Sequence, residues 1–184
     1  MKSHITPAPL EPIGRLFVLL TFMLLLLIWI AGGYSYTQLP DKIPTHFDFS
    51  GKPDAFGTRN TFLILPFALS IAPIIILVVV RFRFKLVNDY PYLVNLPAFF
   101  TQIGQLSDER RTYWYNKYFE FVAAVGVAIT SLLLALLLAL YWGTVEGSMP
   151  WWFIIVVTVI PIVLVTFFIL ALRSMSARLR DEIG

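Results

Sequence analysis

The sequence predicts an all-α integral membrane protein: four transmembrane helices, both termini cytoplasmic, and a short outer flap between the first two spans. Three observations carry that prediction. Hydrophobic residues make up 58% of the chain and charged residues 14%, where an ordinary soluble domain carries about a quarter charged. The deficit is concentrated in four charge-free windows, 16–40, 60–80, 121–145 and 147–172, and each is long enough for a hydrocarbon layer that takes roughly 20 apolar helical residues to cross. The basic residues, finally, alternate by loop. Lys2, Arg15, Arg81, Arg83, Lys85, Arg110, Arg111, Lys117, Arg173, Arg178 and Arg180 fall on one side, and Lys42, Lys52 and Arg59 on the other. By the positive-inside rule the first set is cytoplasmic and the loop after the first span faces outward, in the cell membrane.

Taken in order, the spans are expected near 15–34, 61–80, 119–142 and 150–172, within a single membrane domain covering 1–184. Residues 1–80 form a first module with the outer loop at 35–60, followed by a cytoplasmic segment 81–118, a helical hairpin 119–172 and a basic tail 173–184. The first run exceeds the 7–15 apolar residues of a signal-peptide core, so it reads as an uncleaved helix. Trp29, Tyr34 and Tyr36, then Tyr141, Trp142, Trp151 and Trp152, mark the outer interface; Tyr113, Trp114, Tyr115 and Tyr118 mark the inner one, where aromatic rings satisfy both an apolar body and a polar tip. Cysteine is absent, which excludes disulfides, thiolate metal sites and a thiol nucleophile.

Between the second and third spans, Arg81, Arg83 and Lys85 form a basic collar suited to anionic headgroups. Phe99, Phe100, Ile103 and Leu106 then recur at helical spacing after Pro97, which predicts a short amphipathic helix on the inner interface. Ser107 reads as an N-cap, with Asp108 and Glu109 in the first turn of a helix that runs into the third span. This segment is either an interfacial connector or the contact for a cytoplasmic protein partner; beside lipid, its basic residues do not indicate nucleic acid. Ala124, Ala128, Ser131, Ala135 and Ala139 lie on one side of the third helix as a small-residue packing seam, intramolecular or oligomeric. Glu120 sits at the inner mouth of that helix, one turn from Lys117, and reads as interfacial. Pro161 predicts a bend in the fourth. No charged residue falls at mid-membrane depth, which argues against a pump or proton-coupled transporter.

The outer loop is dense in turn chemistry. Pro40 and Pro44 hold the chain extended. Thr45 and Phe47 continue it, and Ser50-Gly51-Lys52-Pro53-Asp54 reverses it; Gly57 frees the chain to turn, and Thr58 or Asn60 caps the second helix. The reading is a compact flap of hairpin size. His46 and Asp48 share a face of an extended piece, and Asp54 approaches them across the turn. Three readings stand open: a hydrogen-bonded turn core, a peptide- or ligand-contact surface, and a weak divalent-metal set of His46, Asp48 and Asp54. No cofactor is called for. Ser50 near His46 in sequence does not make a catalytic triad, which is a matter of geometry.

Pro40, Ile43, Pro44, His46, Phe47, Gly51, Pro53, Asp54 and Gly57 also match, position by position, the pattern P-x-x-I-P-x-H-F-x-x-x-G-x-P-D-x-x-G. In this the sequence resembles the membrane-protein family called domain of unknown function 1648, the first module of SdpI-like immunity proteins. The resemblance implies protection from a secreted toxic peptide and, in some relatives, signalling by holding a repressor at the membrane. Those proteins are longer and carry a second motif, R-T-P-W-T, of which Arg111-Thr112-Tyr113-Trp114 is only a fragment. The resemblance transfers no catalytic residues. Together, residues and resemblance lead to the expectation of a non-enzymatic membrane protein that senses or binds a peptide or small ligand outside. A metal-dependent surface enzyme and an accessory transport subunit are the alternatives.

Overall fold

The computed structural model describes residues 4–93 and 97–183; residues 1–3 (with Lys2), 94–96 and 184, and the side chains of Tyr92, Ala98 and Phe99, lie outside the described ones. Four helical stretches are long and apolar enough to cross a membrane, Pro12–Gln38, Arg59–Arg81, Asp108–Glu146 and Ile155–Ile183. The chain is a multi-pass membrane protein.

Helix α1 (Pro12–Gln38) starts on a proline, whose missing N–H costs nothing in a first turn, and stops at Leu39, which is extended ahead of Pro40. Strands β1 (Lys42–Phe47) and β2 (Pro53–Thr58) form an antiparallel hairpin. A 3-10 turn (Arg59–Leu63) leads into α2 (Ile64–Arg81), and α3 (Arg83–Asp89) follows after Phe82. Helix α4 (Asp108–Glu146) is continuous for 39 residues, capped at its start by Ser107 and closed by Gly147 at φ +68°. A π-turn (Ile155–Val159) then feeds α5 (Ile160–Ile183). The π-turn directly precedes Pro161, whose ring has no N–H to give and crowds the preceding turn; the predicted irregularity is therefore a local widening of the helix.

Several boundaries differ from the sequence reading, each for a local reason. Thr58 stands at the predicted cap, but its carbonyl accepts from the Thr61 hydroxyl, and Asn60 accepts from the Tyr36 hydroxyl instead of capping. The predicted amphipathic helix is a 3-10 helix (Ala98–Gln105) with Pro97 at its cap, and part of its apolar face packs on the protein. Phe100 and Ile103 are buried, and the Phe100 ring packs 5.0 Å from that of Tyr115 and 5.3 Å from that of Tyr118. The basic tail is helical over its described residues: α5 runs to Ile183, Leu179 is fully buried, and Glu182 is held by Arg110 at 2.5 Å and by the Trp114 indole at 3.0 Å.

Helices α1, α2 and α4 pack as a bundle, while α5 stands apart. Of the most apolar window of each span, 22% is buried in the first three and 6% in α5. The three helices come close together at Gly126, where an added Cβ would lie 2.9 Å from Ile76 and 3.2 Å from the Thr21 hydroxyl. Small residues allow this proximity, and packing drives association where lipid offers no hydrophobic gain. The alanine seam lies elsewhere. Ala124 and Ala128 face a groove of about 450 Å³ towards Pro161, Leu164 and Phe168 of α5; Ala139 is buried, Ala135 half-buried and Ser131 exposed. The five residues thus differ in burial within the single chain. Buried hydroxyls inside the bundle are satisfied within their own helices, Thr21 by Phe17, Ser70 by Pro66 and Thr130 by Gly126.

At the end holding the termini, buried polar groups tie the N-terminal segment to the bundle. Arg83 donates to Asn116 at 2.9 Å, Val80 O at 3.0 Å and Ala8 O at 2.6 Å. Burial pulls its pKa below the ordinary arginine range, with the Glu120 charge opposing the shift. Glu120 is buried within the chain: it is 5% accessible, accepts the Glu11 N–H at 2.8 Å and pairs with Lys117 at 3.2 Å.

Gly126→Val is expected to wedge α1, α2 and α4 apart and to cost about 1–3 kcal/mol through overpacking. Gly33→Ala, with nothing within 4 Å of the added Cβ, is expected to be neutral or stabilising, since alanine favours helix over glycine. Thermal unfolding of the two variants in one detergent measures the contrast.

Candidate functional site

The hairpin caps the bundle at the end away from the termini. Its inner anchor is Ile43, buried with Leu39, Phe62, Ile28 and Leu137. Around that anchor the strands pair Lys42 with Thr58, Ile43 with Gly57, Pro44 with Phe56, His46 with Ala55 and Phe47 with Pro53. Thr45 has no partner in this register. Pro44 cannot donate to the ladder, and the register breaks on both sides of His46; such bulges re-aim a side chain. The His46 Nδ1 lies 2.5 Å from Asp54 Oδ1. At Gly57 an added Cβ would fall 2.8 Å from the Thr45 methyl, so this position admits little beyond hydrogen.

The turn is organised by one carboxylate. Asp48 Oδ1 accepts from the Ser50 N–H at 2.8 Å, the Ser50 hydroxyl at 2.7 Å and the Lys52 N–H at 2.9 Å. The Asp48 N–H donates to Lys52 O at 2.8 Å and Gly51 N–H to Asp48 O at 2.9 Å, with Gly51 at φ +78°. The Ser50 hydroxyl, then the Lys52 amide, stabilise the carboxylate and lower the Asp48 pKa. This arrangement separates the three residues that the sequence set side by side. Asp48 serves the turn and Asp54 serves His46; among the described residues, no three His, Cys, Asp or Glu side chains are grouped to hold a metal ion. Ser50 donates to Asp48, so no serine–histidine–acid relay is assembled.

The turn is also fastened to the loop ahead of α5. Met149 N–H donates to Gly51 O at 3.0 Å. Gly143 gives room for this junction: an added Cβ would meet the Met149 sulfur at 2.7 Å and the Phe47 ring at 3.4 Å. Between hairpin and loop runs a groove of about 680 Å³. Phe47, Leu140, Met149, Trp151, Phe153 and Ile154 supply apolar lining; His46, Asp48, Ser50 and Asp54 supply polar groups, and among the described residues no lysine or arginine lines it. Phe49, at the tip, is fully exposed. The second wall, Met149 to Ile154, escaped the sequence reading because Trp151 and Trp152 suffice as interface anchors. The available signal was Gly147 with Pro150, which mark a short loop bound to sit beside the other loop on that side.

A family model described as "Domain of unknown function (DUF1648)" matches residues 23–70, a stretch holding most of α1, the whole hairpin and the start of α2. A protein of Archaeoglobus fulgidus described as uncharacterized is 39% identical over 181 residues, covering 98% of this chain and 99% of the relative. The chain belongs to the DUF1648 family. No solved structure matches it. The DUF1648 match thus includes one wall of the groove, the hairpin, and leaves out the other, at 149–154.

Two outcomes test this site. The lowered Asp48 pKa means its contribution is complete above the ordinary aspartate value of 3.8 and is lost as pH falls through the lower folded value. The protection of the Ser50 and Lys52 amides, relative to their intrinsic exchange rates at each pH, is expected to hold at neutral pH and to fall below about pH 4, with Asp48→Asn removing that change. His46→Ala and Asp54→Ala, whose partners are largely exposed, are expected to cost only about 0–1 kcal/mol in thermal unfolding.

Proposed function

We propose that the protein is a ligand-responsive membrane protein whose groove, between the hairpin and the loop before α5, receives an extended apolar peptide carrying positive charge. One observation carries the reading: a single groove has the fastened hairpin as one wall and the approach to the least packed helix as the other. Its apolar lining suits apolar side chains, and Asp48 and Asp54, unaccompanied by cations in the lining, favour a basic partner. The turn is already ordered by Asp48, which reduces the entropy lost on binding.

The excess of basic residues near the termini supports an outward-facing hairpin. In that orientation the groove meets material from outside the cell, in keeping with a sensing or immunity-type role. A ligand seated between hairpin and loop changes what holds the start of α5. That helix makes few lateral contacts before the Arg110–Glu182 clamp at its far end, so it is the element suited to carry the change to a partner on the other side.

The test uses protein in bilayer nanodiscs, with an environment-sensitive dye on Phe49→Cys (a clean label in a chain without cysteine) and a short peptide of alternating leucine and lysine. Saturable binding is expected, weakened on the order of tenfold by Trp151→Ala or Asp54→Asn. Unsaturable partitioning, equal in all variants, would show membrane adsorption and contradict the reading.

A further inference from the structure

At the opposite end of the bundle, a second cavity of about 540 Å³ lies between the N-terminal segment and the junction of α2 with α3. Its lining includes Arg15, Arg81, Arg83 and Lys85 and no acidic side chain. The four cations do different things. Arg83 is buried and directs its donors inward to Asn116, Val80 and Ala8, so it forms the floor and fixes the 7–10 segment as a wall. Arg15, Arg81 and Lys85 are exposed and, among the described residues, make no ion pair. The nearby acids are otherwise engaged: Glu11 and Glu120 both pair with Lys117. Ile13, Leu16 and Phe82, neighbours of these cations in the chain, expose apolar surface.

We propose that this cavity binds the phosphate-bearing headgroup of an anionic phospholipid. Three cations without an ion-pair partner among the described residues supply the attraction, Arg81 lying over the Phe82 ring, and each basic residue near such a headgroup adds to it independently. The adjacent apolar surface at the mouth of α1 and α2 accepts the acyl chains, which a free phosphate does not possess. Lipid bound there bridges α1 to α2 and α3 beside the buried Arg83 network, at the end of the molecule away from the hairpin groove. The inference stands apart from the peptide reading and depends neither on the groove nor on which way the chain crosses the membrane.

Native mass spectrometry of the full chain in neutral detergent tests it, titrating phosphatidylglycerol, phosphatidylcholine with the same acyl chains, and inorganic phosphate. Phosphatidylglycerol is expected to bind with clear preference over phosphatidylcholine. The preference should fall on the order of a hundredfold in Arg15→Gln/Arg81→Gln/Lys85→Gln, survive in Arg81→Lys/Lys85→Arg, and be untouched in Arg173→Gln/Arg178→Gln. Thermal unfolding checks the triple variant; if it does not fold, Lys85→Gln alone, at an exposed position, is expected to lose about fivefold. Undiminished preference in the variant that is read overturns the site. Equal loss in Arg173→Gln/Arg178→Gln reduces it to general charge and also overturns it. Displacement of phosphatidylglycerol by inorganic phosphate at equal concentration assigns the cavity to the free anion and overturns the lipid assignment.

Discussion

Hydrocarbon accepts and donates no hydrogen bonds, and the rest of this structure depends on that fact. Each spanning segment has to satisfy its own backbone, so it is a helix. Hydroxyls kept at depth bond back to the preceding turn of their helix, as those of Thr21, Ser70 and Thr130 do. What remains polar is moved to the two ends and knotted there: Arg83, Asn116, Glu120 and Lys117 at one, Asp48, Ser50 and Lys52 at the other. Between the knots only shape holds helices together, which is why a glycine at position 126 sets how closely three of them approach.

The same constraint leaves α5 in an unusual position. It is apolar enough to need no protein around it, and it has little. It is fixed mainly towards its ends, by the Met149–Gly51 link before it and by Leu179 and the Glu182 contacts after it, with the Phe121–Phe168 ring stack between them. A helix so lightly packed along its length is suited to shift if either end gives. The π-turn before Pro161 adds a place where its first turns differ from the rest. These features join the hairpin, which carries the family's pattern, to the far side of the membrane without any polar path through it.

Much of this was legible in the sequence because the signals are local. Hydropathy found the four spans, turn chemistry found the hairpin around Gly51, and Ser107 with Asp108 and Glu109 announced the start of α4. The unread parts all concern which residue meets which. The bulge at Thr45, which brings His46 to Asp54 and leaves Asp48 to the turn, depends on register. The alanine periodicity in α4 marks a face but not its partner, and the bundle chose Gly126. The packing of the basic tail was not readable because its anchor, Arg110 on α4, lies 72 positions away from Glu182. The groove drew its second wall from the 149–154 loop, far from the hairpin in sequence.

The central claim is that the order of the hairpin turn is transmitted through Met149 to α5. Electron–electron distance spectroscopy in nanodiscs tests it most directly, with spin labels on Glu109→Cys and Arg178→Cys, both exposed positions at the end away from the hairpin. Asp48→Ala, which removes the acceptor at the centre of the turn, is predicted to shift or broaden the distance distribution between α4 and α5. A distribution identical to that of the parent, with amide exchange confirming that the turn has opened, would contradict the account.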